Sequence, residues 1–437
     1  MQYQKSHTLL YFFILLFLLP GIKAKAQNVT SPYSILGIGD IDTKDYGRYF
    51  GSGSTSIARR DQFSYNFSNP ASLTELPYKW MNFDVAMRGR ISVFQLPGTD
   101  TLTSVSKDFA IKRITMAFKV SSSVGLAFGL RPYSSVNYAY QITEPIFTGS
   151  TSLIKTVDGS GGVNQVYFAI GKELGKNPDS SKVSIGLTAS YLFGSIQKTT
   201  DYTSTDIGFS FTKLEISTLY GSNWQGGIQY DSYSDAEKRH PVRKWEHRLG
   251  LTATISTPLN GQLTTDINDN QNPKDTIIPE TVATTGFKLP TSVGFGYSAT
   301  HNNKLTMSFD VNYSKWPNQQ VDYPNSYTTS TLRVSAGIEY SYKIRRQGID
   351  VEKYYLAMGF SGENSYIMLN NNYLKDYSGS IGAGCNVSQK FSIYGGIEEG
   401  VRGSLGDGQI KETYTQFVLG LTLKDLWYGT RKFGKFY

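Results

Sequence analysis

From Trp80 onward the chain repeats one physical unit: a segment of about ten residues in which apolar and small or polar side chains alternate strictly. In the first such segment Met81, Phe83, Val85, Met87, Ile91 and Val93 share one face, and Asn82, Asp84, Ala86, Arg88, Arg90 and Ser92 share the other. The rule returns at Ile114 to Val120, Val183 to Phe193, Leu249 to Ile255, Leu305 to Tyr313 and Phe417 to Leu423. Successive side chains of a strand point to opposite faces, so such a chain folds as two-faced sheet and not as helix.

Two all-β architectures satisfy that pattern, a secreted sandwich and a transmembrane barrel. Strand length and the ends of the segments separate them. A strand that crosses a bilayer at a tilt near 45° needs about 9 to 11 residues, whereas strands of globular sheets average about 5 or 6. Many of these segments meet the longer requirement, and Trp80, Trp224, Trp245, Trp316 with Tyr313, and Trp427 with Tyr428 fall near segment ends, where interfacial girdles would place them. The fold class expected is therefore all-β, a transmembrane antiparallel β-barrel spanning residues 80–437. Fourteen segments can be read between 80 and 424, an even number as closure of a bacterial barrel requires. Asn260 to Pro290, rich in Asn, Asp, Thr and Pro, reads as a long irregular external loop around 260–290.

Composition removes the alternatives. The mean hydropathy is −0.31 and 39% of residues are hydrophobic, which excludes a bundle of apolar helices. The only apolar run, Leu9 to Leu19, follows Lys5 and His7 and precedes Ala24-Lys25-Ala26, so residues 1–26 read as a cleaved signal peptide too short to be an anchor. Cysteine is limited to Cys385, which rules out a disulfide framework, a dithiol centre, a zinc cluster and a lipidated cysteine after the leader. The net charge of +8 includes three leader lysines and no long basic block, so nucleic acid is not an expected partner.

Residues 27–79 break the alternation. This Gly-, Ser- and Asn-rich stretch either hangs free or folds into the lumen, and Phe50, Phe63, Tyr65 and Phe67, unfavourable in water, favour the lumen. Within it lie Phe50-Gly51-Ser52-Gly53 and Asn69-Pro70-Ala71-Ser72-Leu73. A small-residue run followed by Asn-Pro-Ala-x-Leu just before the first strand resembles the N-terminal hatch of the FadL/TodX family of outer-membrane transporters. Leu130-Arg131-Pro132-Tyr133, Leu289-Pro290-Thr291 and the ending Asp425-Leu426-Trp427-Tyr428 with its basic tail extend the resemblance, the last two being similar to FadL-like proteins of Bacteroidetes, a branch that also holds the secretion component PorV.

The resemblance implies a fourteen-stranded barrel with an N-terminal hatch over residues 27–79, in which Gly51, Gly53, Asn69, Pro70 and Ala71 form the hatch motif. It also implies hydrophobic substrate released sideways through a gap at Arg131, Pro132 and Tyr133. Proline inside a strand removes a ladder donor, which by itself allows either a break in the wall or a simple bulge. Two functions follow as expectations. One is passive uptake of small hydrophobic or amphipathic molecules, which needs an apolar pocket between hatch and outer loops. The other is a non-transporting accessory barrel that binds other envelope or secretion-system proteins, with a filled lumen. Expected partners are outer-membrane lipid and either a hydrophobic small molecule or envelope proteins.

Catalytic patterns do not emerge. His240, His247 and His301 lack metal-ligand spacing, and Asp266-Ile267-Asn268-Asp269-Asn270 begins like a calcium loop but has Gln271 where Gly is required. Gly-Lys-Ser/Thr and Gly-x-Ser-x-Gly signatures do not occur, so neither an enzyme nor a cofactor is expected. Inward-facing Asp84, Arg88, Arg90, Lys119 and Asp310, and Glu398, Glu399 and Arg402, read as lumen ion pairs.

Overall fold

The computed structural model describes residues 31–62, 64–98, 103–145, 152–177, 181–204, 208–234, 245–270, 276–321, 325–346, 349–388 and 390–426. The expected signal peptide, Phe63, His240 and the Trp427-Tyr428 tail lie outside these residues. A two-residue strand β1 (Asp40–Ile41) belongs to the N-terminal segment. The wall follows as β2 (Trp80–Gln95), β3 (Thr103–Lys119), β4 (Val124–Pro145), β5 (Ser152–Asn177), β6 (Ser181–Ser204), β7 (Phe209–Ser234), β8 (Trp245–Ser256) and β9 (Leu259–Asp269). It continues with β10 (Thr276–Phe287), β11 (Thr291–His301), β12 (Leu305–Lys315), β13 (Ser326–Thr328), β14 (Thr331–Arg346), β15 (Ile349–Leu369), β16 (Asn372–Asn386), β17 (Phe391–Arg402) and β18 (Lys411–Leu426).

All neighbours are antiparallel, and β18 closes on β2 from Lys411↔Gln95 to Leu426↔Trp80. The result is a closed fourteen-strand barrel. That number is reached because β8 and β9 are two halves of one long strand lying along β7, broken at Thr257-Pro258, and β10 and β11 are halves of the next, broken at 288–290. The stretch expected to be an irregular loop, 260–290, is therefore largely a β-hairpin that extends the wall. Six of its ten Asn, Asp and Pro residues are gathered in sequence between Asn268 and Asp275, while Leu263, Thr264, Thr265, Val282, Thr284 and Thr285 suit the strands on either side.

Alternation is realised as a lipid-type outer face and a polar inner face. Phe83, Phe128, Phe168, Leu251, Met358 and Leu419 point outward and are exposed, whereas Asp84, Thr115, Ser184 and Ser308 point inward and are buried. A contiguous apolar exterior of this kind is stable only against hydrocarbon. Wall height is uneven. The 11 residues of β12 span about 26 Å at a 45° tilt, near the apolar band of an outer-membrane barrel, while the 26 residues of β5 or β7 span about 60 Å. The chain of strands β4 to β7 with the β9–β10 hairpin thus rises beyond the apolar band at the end opposite Trp80 and Leu426.

Candidate functional site: the plugged lumen and the wall seam

The described residues of 31–76 pack largely against the inward-facing side of the wall. Their apolar part, Tyr33, Leu36 and Ile38, packs with the wall residues Val163, Leu192, Leu259, Trp316, Tyr366 and Leu374, so the apolar region of the lumen is filled by the chain itself. Short 3-10 helices at Arg48–Ser52 and Pro70–Glu75 carry the two sequence motifs.

Asn69 is the N-cap of the second of these helices. Its side-chain oxygen accepts the Ala71 N–H at 3.1 Å, and its amide donates to the Ile57 carbonyl at 2.9 Å and to Ile228 of the wall at 3.2 Å. Pro70 suits the first helical position because it has no N–H to leave unsatisfied. The helix lies on a smooth track, since Gly125, Gly171, Gly186 and Gly227 are register neighbours across β4 to β7. A Cβ on Gly186 would sit 2.4 Å from the Pro70 carbonyl carbon, and one on Gly227 2.1 Å from the Asn69 side-chain oxygen. Gly51 and Gly53 make the corresponding contacts on the other side of the lumen. A Cβ on Gly51 would meet Gly382 at 2.4 Å, and Gly53 adopts a left-handed φ of 68° where a Cβ would meet the Phe360 carbonyl at 2.7 Å. The glycine track was not legible beforehand, because its members are far apart in sequence and become neighbours only through strand register.

Ion pairs attach the plug around the wall. Arg48 reaches Glu352 at 2.6 Å and Glu339 at 2.8 Å, and Arg59 also holds Glu339 at 2.8 Å. Lys44 pairs with Glu398, Asp45 with Arg113 at 2.9 Å, Glu75 with Lys182 at 2.9 Å, and Asp40 with Arg402 at 2.8 Å. Asp310 accepts the backbone N–H groups of Ser56 at 2.6 Å and Ile57 at 3.0 Å. The inward charges Asp84, Arg88, Arg90, Lys119, Asp310, Glu398 and Arg402 are thus all structural partners of plug or wall, whereas Glu399, expected among them, is exposed on the opposite face of its strand. Burial by itself would raise the Glu75 carboxyl, but Lys182, Arg248 and Arg60 outweigh it and hold it down at about 2. Burial likewise opposes ionisation of Asp40 and Asp42, and the cations Arg402 and Lys112 respectively overcome it, so both lie below the ordinary carboxylate value.

The wall parts between β3 and β4. β3 pairs with β2 from Thr103 to Phe118, yet with β4 only from Ile114↔Leu130 to Lys119↔Gly125. Beyond Leu130 the edges part, and β4 continues on β5 alone with a bulge between Pro132 and Ser134. The bulge thus lies beside Pro132, just past the point where the β3–β4 pairing ends. The plug covers the β4 edge. Asp40 and Ile41 of β1 pair with Ser135 and Ser134, and the Asp42 N–H donates to the Tyr133 carbonyl at 3.0 Å. Arg131 donates to the Asp42 carbonyl at 3.0 Å and lies over the Phe67 ring at 4.3 Å. Between plug and wall remains a cavity of about 530 Å³ bordered by charged and amide side chains such as Asp42, Lys112, Arg131 and Gln165 and by apolar and aromatic ones such as Phe67, Tyr133, Val136 and Trp316. His247 and His301 stand apart, at strand ends beside Trp245, in an aromatic cluster with Tyr297.

A closed barrel of fourteen strands, apolar outside and with its N-terminal segment packed against the inner wall, has the fold of the FadL/TodX-type outer-membrane channels. The chain belongs to the BamG family, whose family model matches residues 9–434. Comparison with curated proteins returns no match. Among solved structures it is similar to a Pseudomonas aeruginosa FadL homologue (10% identity, covering 89% of this chain and 100% of that one, TM-score 0.58). It is also similar to the Pseudomonas putida toluene transporter TodX (14% identity, 89% and 99% covered, TM-score 0.56) and to the CymD monoaromatic hydrocarbon channel (13% identity, 86% and 97% covered, TM-score 0.51). At these identities the likeness is one of fold.

Proposed function

We propose that this protein is a non-transporting accessory barrel of the outer membrane that binds other envelope proteins. The observation that carries this reading is the content of the lumen. A channel for hydrophobic molecules needs an empty apolar pocket, since desolvating a charged lining without replacing its partners is costly. Here much of the apolar lumen is occupied by Tyr33, Leu36 and Ile38, and the space left over, though it has apolar and aromatic sides such as Phe67, Tyr133 and Trp316, is also bordered by the charges of Asp42, Arg88, Lys112 and Arg131. Membership of the BamG family supports the same reading, its name suggesting envelope-protein partners.

A second reading, passive uptake of small hydrophobic molecules with sideways release, draws on the seam at Arg131, Pro132 and Tyr133 and on the likeness in fold to a monoaromatic hydrocarbon channel and a toluene transporter. Gentle detergent extraction of the native protein, followed by mass spectrometry of co-purifying proteins and organic-extractable compounds, tests the two together. A stoichiometric protein partner is the expected result. A lone barrel loaded with a hydrophobic compound would overturn the accessory reading and name the substrate class.

A further inference from the structure

We infer that the cavity between plug and wall is a binding site for a neutral, polyhydroxylated small molecule of the saccharide class, held by the inner faces of β7, β8 and β12. The inference goes beyond the accessory-barrel reading and does not depend on it.

Strand register builds the site. Gln225, Thr254, Ser292 and Ser314 are register partners in turn across β7, β8, β11 and β12, so they form one inward-facing row along the cavity. Asn223 and Ser256 flank this row on one side, Thr252 and Asn312 on the other, and all four border the same cavity. Neighbouring strands lie about 4.8 Å apart and successive inward residues of one strand about 7 Å apart. The wall therefore presents a grid of hydroxyl and amide groups at fixed spacing.

Elsewhere the plug takes up the polar groups of the inner wall. Ser308 shares a hydrogen bond with Thr55 at 2.6 Å, Ser184 accepts from Thr74 at 3.0 Å, and Ser380 accepts the Gly53 N–H at 3.0 Å. Within the grid, Gln225 donates to the Ser68 carbonyl at 2.9 Å and Ser292 to Ser314 at 2.7 Å. The side chains of Asn223, Thr252, Thr254, Ser256 and Asn312 make no hydrogen bond among the described residues. These half-buried neutral groups on β7, β8 and β12 thus offer unused donors and acceptors to one cavity.

The charges bordering the same space are already matched. Asp42 holds Lys112 at 2.8 Å, Asp40 holds Arg402 at 2.8 Å, and Arg88 pairs with Asp108. Arg333 donates to the Thr43 carbonyl at 2.8 Å and to the Gly53 carbonyl at 3.1 Å. A charged ligand would compete with such pairs, whereas a neutral one leaves them intact. A hydrocarbon would strip water from the grid and return no hydrogen bond, which a site built of polar groups penalises strongly. Hydroxyl groups both donate and accept, so a sugar replaces water at each position with a bond of the same kind. Phe67 and Tyr133, which also border the cavity, supply rings for the apolar face of a sugar ring. The volume, about 530 Å³, lies in the range of about 300 to 1,000 Å³ usual for small-molecule sites.

The test is isothermal titration of the full-length protein, purified in a detergent without a sugar headgroup, with sucrose, maltose and trehalose, and with toluene and glucose 6-phosphate for comparison. Expected is saturable binding of at least one of the disaccharides, with toluene and glucose 6-phosphate bound more weakly. The double variant Thr254→Val/Asn312→Leu removes two of the unused groups and no bond on which the fold relies, so its Kd should rise about tenfold. Heat-modifiable migration in a gel shows whether that barrel is folded. Tighter binding of toluene or of glucose 6-phosphate, no binding of any disaccharide, or disaccharide binding unaltered in the folded variant would overturn the inference. Should the double variant fail to fold, Ser256→Ala alone decides the location in the same way, through an expected rise in Kd of about threefold.

Discussion

The carboxylate of Asp42 in the plug receives the ammonium group of Lys112 on β3 at 2.8 Å, and the two side chains are 7% and 2% exposed. Because Arg131 of β4 donates to the backbone carbonyl of the same residue, Asp42 joins the plug to both lips of the seam. Replacing Asp42 with Asn removes the charge and leaves Lys112 buried without its counter-ion, a change that typically costs about 3 to 5 kcal/mol. The expected outcome is a loosened plug, seen as raised ion conductance in planar bilayers relative to the parent protein. Adding Lys112→Met should restore part of the seal; conductance equal to that of the parent in Asp42→Asn would show that the pair does not hold the plug.

Close approach of plug and wall gives a second prediction. Gly186 faces Pro70 with no room for a side chain, the nearest atom lying 2.4 Å from where a Cβ would stand. Gly186→Val should therefore displace the Pro70–Glu75 helix without disturbing the strand, since valine favours β structure. Limited proteolysis of the folded barrel should cut the N-terminal segment faster, while heat-modifiable migration in a gel remains. A Gly379→Ala control, at a glycine with no heavy atom within 4 Å of its would-be Cβ, should leave both unchanged.

Acid should weaken the plug through Glu75. Its folded pKa of about 2 lies below the ordinary 4.5, so the carboxylate contributes stability that is fully present above pH 4.5 and lost as pH falls through the folded value toward 2. Conductance in bilayers should accordingly rise between pH 4.5 and pH 2 in the parent. Glu75→Gln, which carries no charge to lose, should conduct more at neutral pH and respond less over that window. An unchanged acid response in the variant would assign the transition to another carboxylate.

The wall was largely legible in the sequence because membrane strands obey period two wherever they face lipid: Leu305 to Tyr313 and Phe417 to Leu423 occupy strands much as the alternation implied. Strand ends were not legible beyond the apolar band, where both faces become polar and the pattern fades. Thus Thr264, Thr265 and Thr284 lie in the β9–β10 hairpin, although their surroundings read as loop. The plug's attachments were hidden for another reason. Arg48 and Glu352 are hundreds of residues apart, and nothing local marks either as a partner. Asn69-Pro70-Ala71 stood out in the sequence only as a likeness to a hatch motif; that Asn69 caps a short 3-10 helix follows from local chemistry that was not read there.

Arg48 is the plug residue whose loss should be most costly. It pairs with Glu352 and Glu339, carboxylates only 8% and 2% exposed, and its guanidinium lies 4.0 Å from the centre of the Tyr355 ring. Arg48→Met keeps much of the side-chain volume and deletes the charge. Glu339 retains Arg59 at 2.8 Å, so the penalty should fall mainly on Glu352. A loss of about 3 to 5 kcal/mol is expected for one buried carboxylate left without its cation. In the double variant Arg48→Met/Glu352→Gln that charge is gone too, and the combined loss should be smaller than the sum of the single losses by about 1 to 3 kcal/mol. Urea unfolding of the refolded barrel in lipid vesicles measures all three. Additive losses would mean that Arg48 and Glu352 act independently, and the plug would then be held by packing on the glycine track more than by its buried charges.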